Sequence, residues 1–81
     1  MEEYPQSLVN IPVQETPEIS EVPLLNTAIK EANAALSTTG RTLVRYSGTE
    51  KLIRVMVEAK EESDVALWSK HICDAIRKTI A

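Results

Sequence analysis

Residues 41–58 read RTLVRYSGTEKLIRVMVE, and this segment predicts the central hairpin of the fold. Two runs rich in apolar and β-branched residues, 41–46 and 51–59, flank the sequence Ser-Gly-Thr-Glu at 47–50. Such runs on either side of a turn that contains Gly and Ser are typical of a β-hairpin. The second run contains neither Gly nor Pro and is the more apolar, so we expect it at the centre of the sheet.

The hairpin register follows from chemical matching between the two strands. When paired residue numbers sum to 99, Arg41 faces Glu58 and apolar side chains face each other along the strands. The other matched pairs are Thr42–Val57, Leu43–Met56, Val44–Val55 and Tyr46–Ile53. The same register places Arg45 opposite Arg54, an arrangement that is destabilising because the charges are alike. We therefore expect this arginine pair to be kept for an anion.

The turn offers further groups that suit an anion such as phosphate. Ser47 and Thr49 provide hydroxyl donors, and Gly48 allows a sharp turn that brings backbone N–H groups close to a ligand. Each arginine presents a planar fork of donors that matches phosphate or carboxylate. The alternative interpretation is a polar turn whose arginines are solvated or paired with Glu50 and Glu58, since such turns are common.

The remaining residues predict one more strand and two helices. Residues 7–13 alternate as a strand, and Pro12 places it at a sheet edge because proline cannot donate a ladder hydrogen bond. After a loop at 14–21, a helix begins at Pro23 and ends at 37–40, with Gly40 as a left-handed residue. Ser63 is the expected cap of the last helix. The apolar positions are Leu25, Ala28, Ile29, Ala32 and Leu36 in the first helix, and Val65, Trp68, Ile72, Ile76 and Ile80 in the second.

These elements predict a two-layer α+β fold with the order β-α-β-β-α. A right-handed crossover leaves the third strand between the first and second, which gives an antiparallel sheet of order 1-3-2 with both helices on one face. The pattern leaves room for a short fourth strand.

Composition limits the classes of function. The 81 residues carry a net charge of −3, yet residues 40–60 hold five basic and two acidic residues. An acidic chain with one basic island disfavours a nucleic-acid-binding protein. One cysteine and one histidine are too few for a zinc site, and no apolar run approaches the length of a membrane span. We expect a cytoplasmic domain, because the N-terminus does not resemble a signal peptide.

The segment 41–58 resembles the C-terminal phosphate-binding segment of the α-D-phosphohexomutases, and bacterial phosphoglucosamine mutases in particular. The pattern of that group is Arg-Pro-Ser-Gly-Thr-Glu-Pro followed by Leu-Ile-Arg-Val-Met-Val-Glu. Pro5-Gln6 and Leu8-Val9-Asn10 match the start of the same domain. Tyr46 and Lys51 stand where the pattern has proline, so we expect a less rigid loop.

The resemblance implies that residues 7–81 form the last of four domains, preceded by an interdomain linker at 1–6. It implies that Arg45, Ser47, Gly48, Thr49 and Arg54 bind the phosphate of a hexose phosphate. The catalytic phosphoserine and the Mg²⁺ ligands would lie in the other three domains. No catalytic residue, metal ligand or cofactor is then expected here, and the isolated domain should be inactive. A phosphomannomutase or phosphoglucomutase relative and a free-standing anion-binding module are the alternatives.

Overall fold

The computed structural model describes residues 4–37 and 40–81, and its elements follow the expected order β-α-β-β-α. The strands are β1 (Gln6–Pro12), β2 (Gly40–Tyr46) and β3 (Leu52–Ala59), and the helices are α1 (Pro23–Leu36) and α2 (Glu62–Thr79). A short 3₁₀ helix at Ile19–Glu21 interrupts the segment that was expected to be a loop.

The sheet is antiparallel with the strand order β1-β3-β2, which confirms the expected topology and the central position of β3. Among the described residues the sheet has three strands and no fourth. Strand β1 lies at an edge, as Pro12 predicts. It begins at Gln6, inside the segment 1–6 that was expected to be a linker.

The hairpin register is also confirmed, because all six predicted pairs from Arg41–Glu58 to Tyr46–Ile53 are observed. On the other side of β3, Arg54 pairs with Asn10 of β1. One row across the sheet therefore runs from Asn10 through Arg54 to Arg45.

Both helices pack on one face of the sheet and leave the other face open. Side chains of β3 alternate between fully buried and more exposed, and the buried set meets the apolar stripes of the helices. The largest fully buried side chains are Leu25, Leu36, Ile53, Val55, Val57, Ile72 and Ile76. Arg45 and Arg54 lie on the open face, which makes them accessible to a ligand.

Two expectations about helix ends are wrong. Gly40 does not adopt a left-handed conformation; Ser37 takes the positive φ, at 46°. Gly40 instead belongs to β2, where an added Cβ would lie 2.8 Å from Ala59 Cα, so close strand contact requires glycine. Thr38 and Thr39 lie outside the described residues. Ser63 does not cap α2, because the carbonyl of Glu61 accepts the first helical hydrogen bonds and Glu61 is therefore the N-cap.

Candidate anion-binding site

Two arginines whose positive charges are not neutralised by nearby carboxylates of the described residues lie side by side at the hairpin end of the sheet. Arg45 and Arg54 are directly paired across β2 and β3, and both side chains are exposed. Arg54 Nε donates a hydrogen bond of 3.3 Å to Asn10 Oδ1, which orients its guanidinium group. Within the described residues neither guanidinium has a carboxylate partner. Like charges in this position cost stability unless an anion joins them.

Arg41 shows that the chain can neutralise an arginine on the same face of the same strand. Its Nε lies 3.5 Å from Glu58 Oε1. Glu58 lies four residues beyond Arg54 along β3, roughly 13 Å away, so its carboxylate cannot pair with both Arg41 and Arg54. Among the described residues, Glu50 forms no ion pair. The alternative in which Glu50 and Glu58 pair with Arg45 and Arg54 is therefore not observed.

The turn that follows Arg45 presents both hydroxyl and backbone donors. Ser47 N donates to Leu52 O at 2.8 Å and closes the hairpin. Thr49 N lies 3.5 Å from Ser47 Oγ, so Ser47 accepts this weak bond and keeps its own O–H free to donate. In the part of the chain that the structure describes, the N–H groups of Gly48 and Glu50 have no protein acceptor.

Gly48 provides an open approach to the turn, although the turn's backbone does not itself require glycine at this position. Its φ is not positive, and an added Cβ would meet no atom within 4 Å. The fold itself would accept a side chain at this position. The open space in front of Gly48 therefore leaves room for a ligand to approach the backbone.

The hairpin is anchored by residues 13–17, a contact that the sequence did not reveal. Tyr46 Oη donates a hydrogen bond of 2.6 Å to Pro17 O, and Val13 N donates to Lys51 O at 2.9 Å. Burial, with the negative charge of Glu18, raises the pKa of the Tyr46 hydroxyl. The one signal in the sequence was an aromatic residue at an inward-facing position of β2.

Other reactive side chains do not assemble a catalytic or metal-binding group. Across residues 4–37 and 40–81, no three His, Cys, Asp or Glu side chains lie close enough to hold a metal ion. Cys73 is buried, and burial raises the pKa of its thiol. His71 is exposed and lies 3.2 Å from Glu31 Oε1. No helix in the described ranges is long and apolar enough to cross a membrane.

Comparison with known families identifies the class of domain. Residues 8–75 match the family model described as the phosphoglucomutase/phosphomannomutase C-terminal domain. Because the match spans most of the chain, the chain belongs to this family. Similar full-length proteins include the phosphoglucosamine mutases of Solidesulfovibrio magneticus, 46% identical over 78 residues, and of Syntrophus aciditrophicus, 41% identical over 80 residues. These alignments cover 96% and 99% of the chain but 16% and 18% of the relatives.

Solved structures support the same relationship. An Aspergillus fumigatus N-acetylphosphoglucosamine mutase in complex with GlcNAc-6P and magnesium matches 93% of the chain, with a TM-score of 0.70 and 26% identity. An N-acetylglucosamine-phosphate mutase of the α-D-phosphohexomutase superfamily, in a substrate complex, matches 90% with a TM-score of 0.71 and 28% identity. The chain spans 16% and 15% of these two proteins, so it corresponds to a small part of each.

Proposed function

We propose that this chain is the C-terminal domain of a phosphoglucosamine mutase, which converts glucosamine 6-phosphate to glucosamine 1-phosphate. In this proposal residues 7–81 form the domain and residues 1–6 connect it to the rest of the enzyme. The domain binds the phosphate that does not react, through Arg45, Ser47, Gly48, Thr49 and Arg54. The family match and the similarity to bacterial phosphoglucosamine mutases support the proposal.

The paired arginines are the observation that carries the proposal. Arg45 and Arg54 are directly opposite and lack carboxylate partners, whereas Arg41 on the same strand has one. A phosphate dianion would neutralise both charges and accept hydrogen bonds from both guanidinium groups. The Ser47 and Thr49 hydroxyls and the open amide of Gly48 would supply the remaining donors.

The proposed mechanism is positional. Holding one phosphate of the sugar in the hairpin fixes the opposite end of the molecule toward the phosphoserine of another domain. Binding energy at this remote group then lowers the entropic cost of alignment at the reacting end. Because the hairpin recognises a phosphate and little of the sugar, it can receive the substrate in either orientation. Movement of the domain about this connecting segment, up to the start of β1 at Gln6, would close the site and exclude water.

Groups that carry out phosphoryl transfer belong to the other domains in this proposal. The relative from Aspergillus fumigatus contains magnesium, whereas the site here is lined by arginines, which would repel a cation. The domain therefore supplies phosphate binding, and the isolated chain is proposed to be inactive. We place the enzyme in the cytoplasm, where its sugar phosphate substrate would be found.

A second candidate is the same domain of a phosphoglucomutase or phosphomannomutase, which the name of the matching family includes. Both candidates use the hairpin in the same way and differ in the sugar. A free-standing anion-binding module is the third alternative. A full-length gene that encodes the phosphoserine and Mg²⁺-binding segments upstream would exclude the module, and turnover of glucosamine 6-phosphate over glucose or mannose phosphates would identify the sugar.

The test is a pair of substitutions in the full-length enzyme that carries this domain. We expect Arg45→Ala to lower kcat/KM by at least about a hundredfold, equivalent to about 2.7 kcal/mol of transition-state stabilisation. Arg41→Ala is the matched control, because it removes an arginine from the same face of β2 that already pairs with Glu58. We expect the control to change kcat/KM less than fivefold. A loss below fivefold for Arg45→Ala would contradict the proposed function.

A further inference from the structure

We propose that Tyr46 is a positioning residue, whose hydroxyl holds the hairpin in the arrangement that binds phosphate. The inference rests on the proposed function, because it concerns the same site. It adds a residue that contributes no donor to the ligand and lies 29 positions from its partner, Pro17. The geometry of three contacts supports this role.

Residues 13–17, here called the strap, contact both arms of the hairpin. Val13 N donates to Lys51 O at 2.9 Å, at the start of the β3 arm. Pro17 O accepts from Tyr46 Oη at 2.6 Å, at the end of the β2 arm. Gln14 N donates to Ile80 O at 2.8 Å, which ties the strap to the end of α2. One segment fixed to the helical layer therefore restrains both arms of the hairpin.

A restraint on Tyr46 also restrains its neighbours in the proposed phosphate site. It lies between Arg45 and Ser47, and its ring packs against the core opposite the fully buried Ile53. The strap also borders Arg45, since Thr16, Pro17 and Arg45 line one groove of about 310 Å³. Loss of the Tyr46 hydroxyl bond would thus free the backbone that carries Arg45 and the Ser47 N–H.

The strand register explains why Tyr46 is restrained by a side-chain hydrogen bond and not by a backbone hydrogen bond to β3. Ser47 N donates to Leu52 O on β3, and alternate N–H groups of an antiparallel strand point in the same direction. The N–H of Tyr46 therefore points to the free edge of β2, where nothing in the ladder restrains this residue. At this position the hydroxyl of the side chain provides the restraint.

The test compares Tyr46→Phe with Thr42→Val in the 81-residue chain. Each variant removes one hydroxyl hydrogen bond from the inner face of β2; the Thr42 bond, 2.7 Å to Asn33 Oδ1, lies at the far end of the strand. The readouts are the Kd for inorganic phosphate and the hydrogen-exchange rate of the Ser47 amide. We expect Tyr46→Phe to raise both about fivefold, the factor for one hydrogen bond of typical net strength. We expect Thr42→Val to leave both within twofold.

The two readouts separate the inference from the function on which it rests. Hydrogen exchange at Ser47 needs no ligand, so it tests the effect of the Tyr46–Pro17 hydrogen bond directly. An exchange rate and a Kd within twofold of wild type in Tyr46→Phe would overturn the inference. Equal effects of the two variants would overturn it as well, because they would indicate a general loss of stability. Failure of the wild-type chain to bind phosphate would instead contradict the proposed function.

Discussion

Replacing Arg45 by Gln should stabilise the folded chain, although Arg45 belongs to the proposed site. Arg45 faces Arg54 directly, and no carboxylate among the described residues neutralises either of them. Gln keeps most of the length of the side chain and removes the charge, so the main effect is relief of repulsion. Arg41→Gln is the control and should lower the stability, because Arg41 lies 3.5 Å from a carboxylate oxygen of Glu58.

The magnitudes follow from exposure and distance. Directly opposite residues such as Arg45 and Arg54 have Cβ atoms about 5 Å apart, and two like charges at about 7 Å in water repel each other by about 0.6 kcal/mol. The ion pair of Arg41 is exposed on one side, with 71% of the Arg41 side chain and 27% of the Glu58 side chain accessible, so it contributes roughly 0.5 kcal/mol. The two variants should therefore differ by about 1 kcal/mol, equivalent to about 4–8 °C in Tm for a domain of this size.

The assay is urea unfolding of the wild type and the two variants in a phosphate-free buffer of low ionic strength. We expect the free energy of unfolding to increase for Arg45→Gln and decrease for Arg41→Gln. Both differences should shrink in 0.5 M NaCl, because the Debye length falls to about 4 Å. A loss of stability in Arg45→Gln equal to that in Arg41→Gln would show that Arg45 stabilises the fold and that Arg54 does not repel it.

Three further predictions concern the turn, the tether and the buried thiol. Gly48→Ala should change the free energy of unfolding by no more than about 0.5 kcal/mol and should weaken phosphate binding. Gly40→Ala should destabilise the chain strongly, because the added Cβ would lie 2.8 Å from Ala59 Cα. Urea unfolding and phosphate titration measure the two effects. The raised pKa of Tyr46 means that the unfolded chain loses this proton first, so wild-type stability should fall above about pH 10 more steeply than that of Tyr46→Phe in alkaline unfolding experiments. Cys73 should react with a thiol reagent at pH 8 far more slowly in the native chain than in urea, because burial raises its pKa; equal rates would contradict its placement.

The sequence predicts the hairpin well because its information is local. Alternation identifies the strands, and the Arg41–Glu58 pair with its apolar neighbours selects a single register. That register brings Arg45 and Arg54 together, so the central pair of the candidate site could be predicted from paired residues at most 17 positions apart.

Features that depend on distant contacts could not be predicted in this way. Gly40 follows a helix, which is typical of a left-handed C-cap, but its glycine is required by the approach of β3. The Tyr46–Pro17 bond joins the hairpin to a loop 29 residues away, and no local pattern encodes it. The start of α2 was misplaced for a different reason. Ser63 is a favourable cap residue, but it lies two positions after the N-cap at Glu61, and helix boundaries are not fixed by a cap residue alone.

A titration of the ¹⁵N-labelled 81-residue chain with glucosamine 6-phosphate would show whether the hairpin binds the phosphate of a sugar phosphate. Glucosamine without phosphate is the matched ligand, and Arg54→Gln is the matched variant. We predict amide shift changes concentrated in residues 45–54, absent with glucosamine and lost in Arg54→Gln. Shift changes that map outside the hairpin, or that are equal for both ligands, would contradict the assignment of this hairpin as a phosphate-binding site.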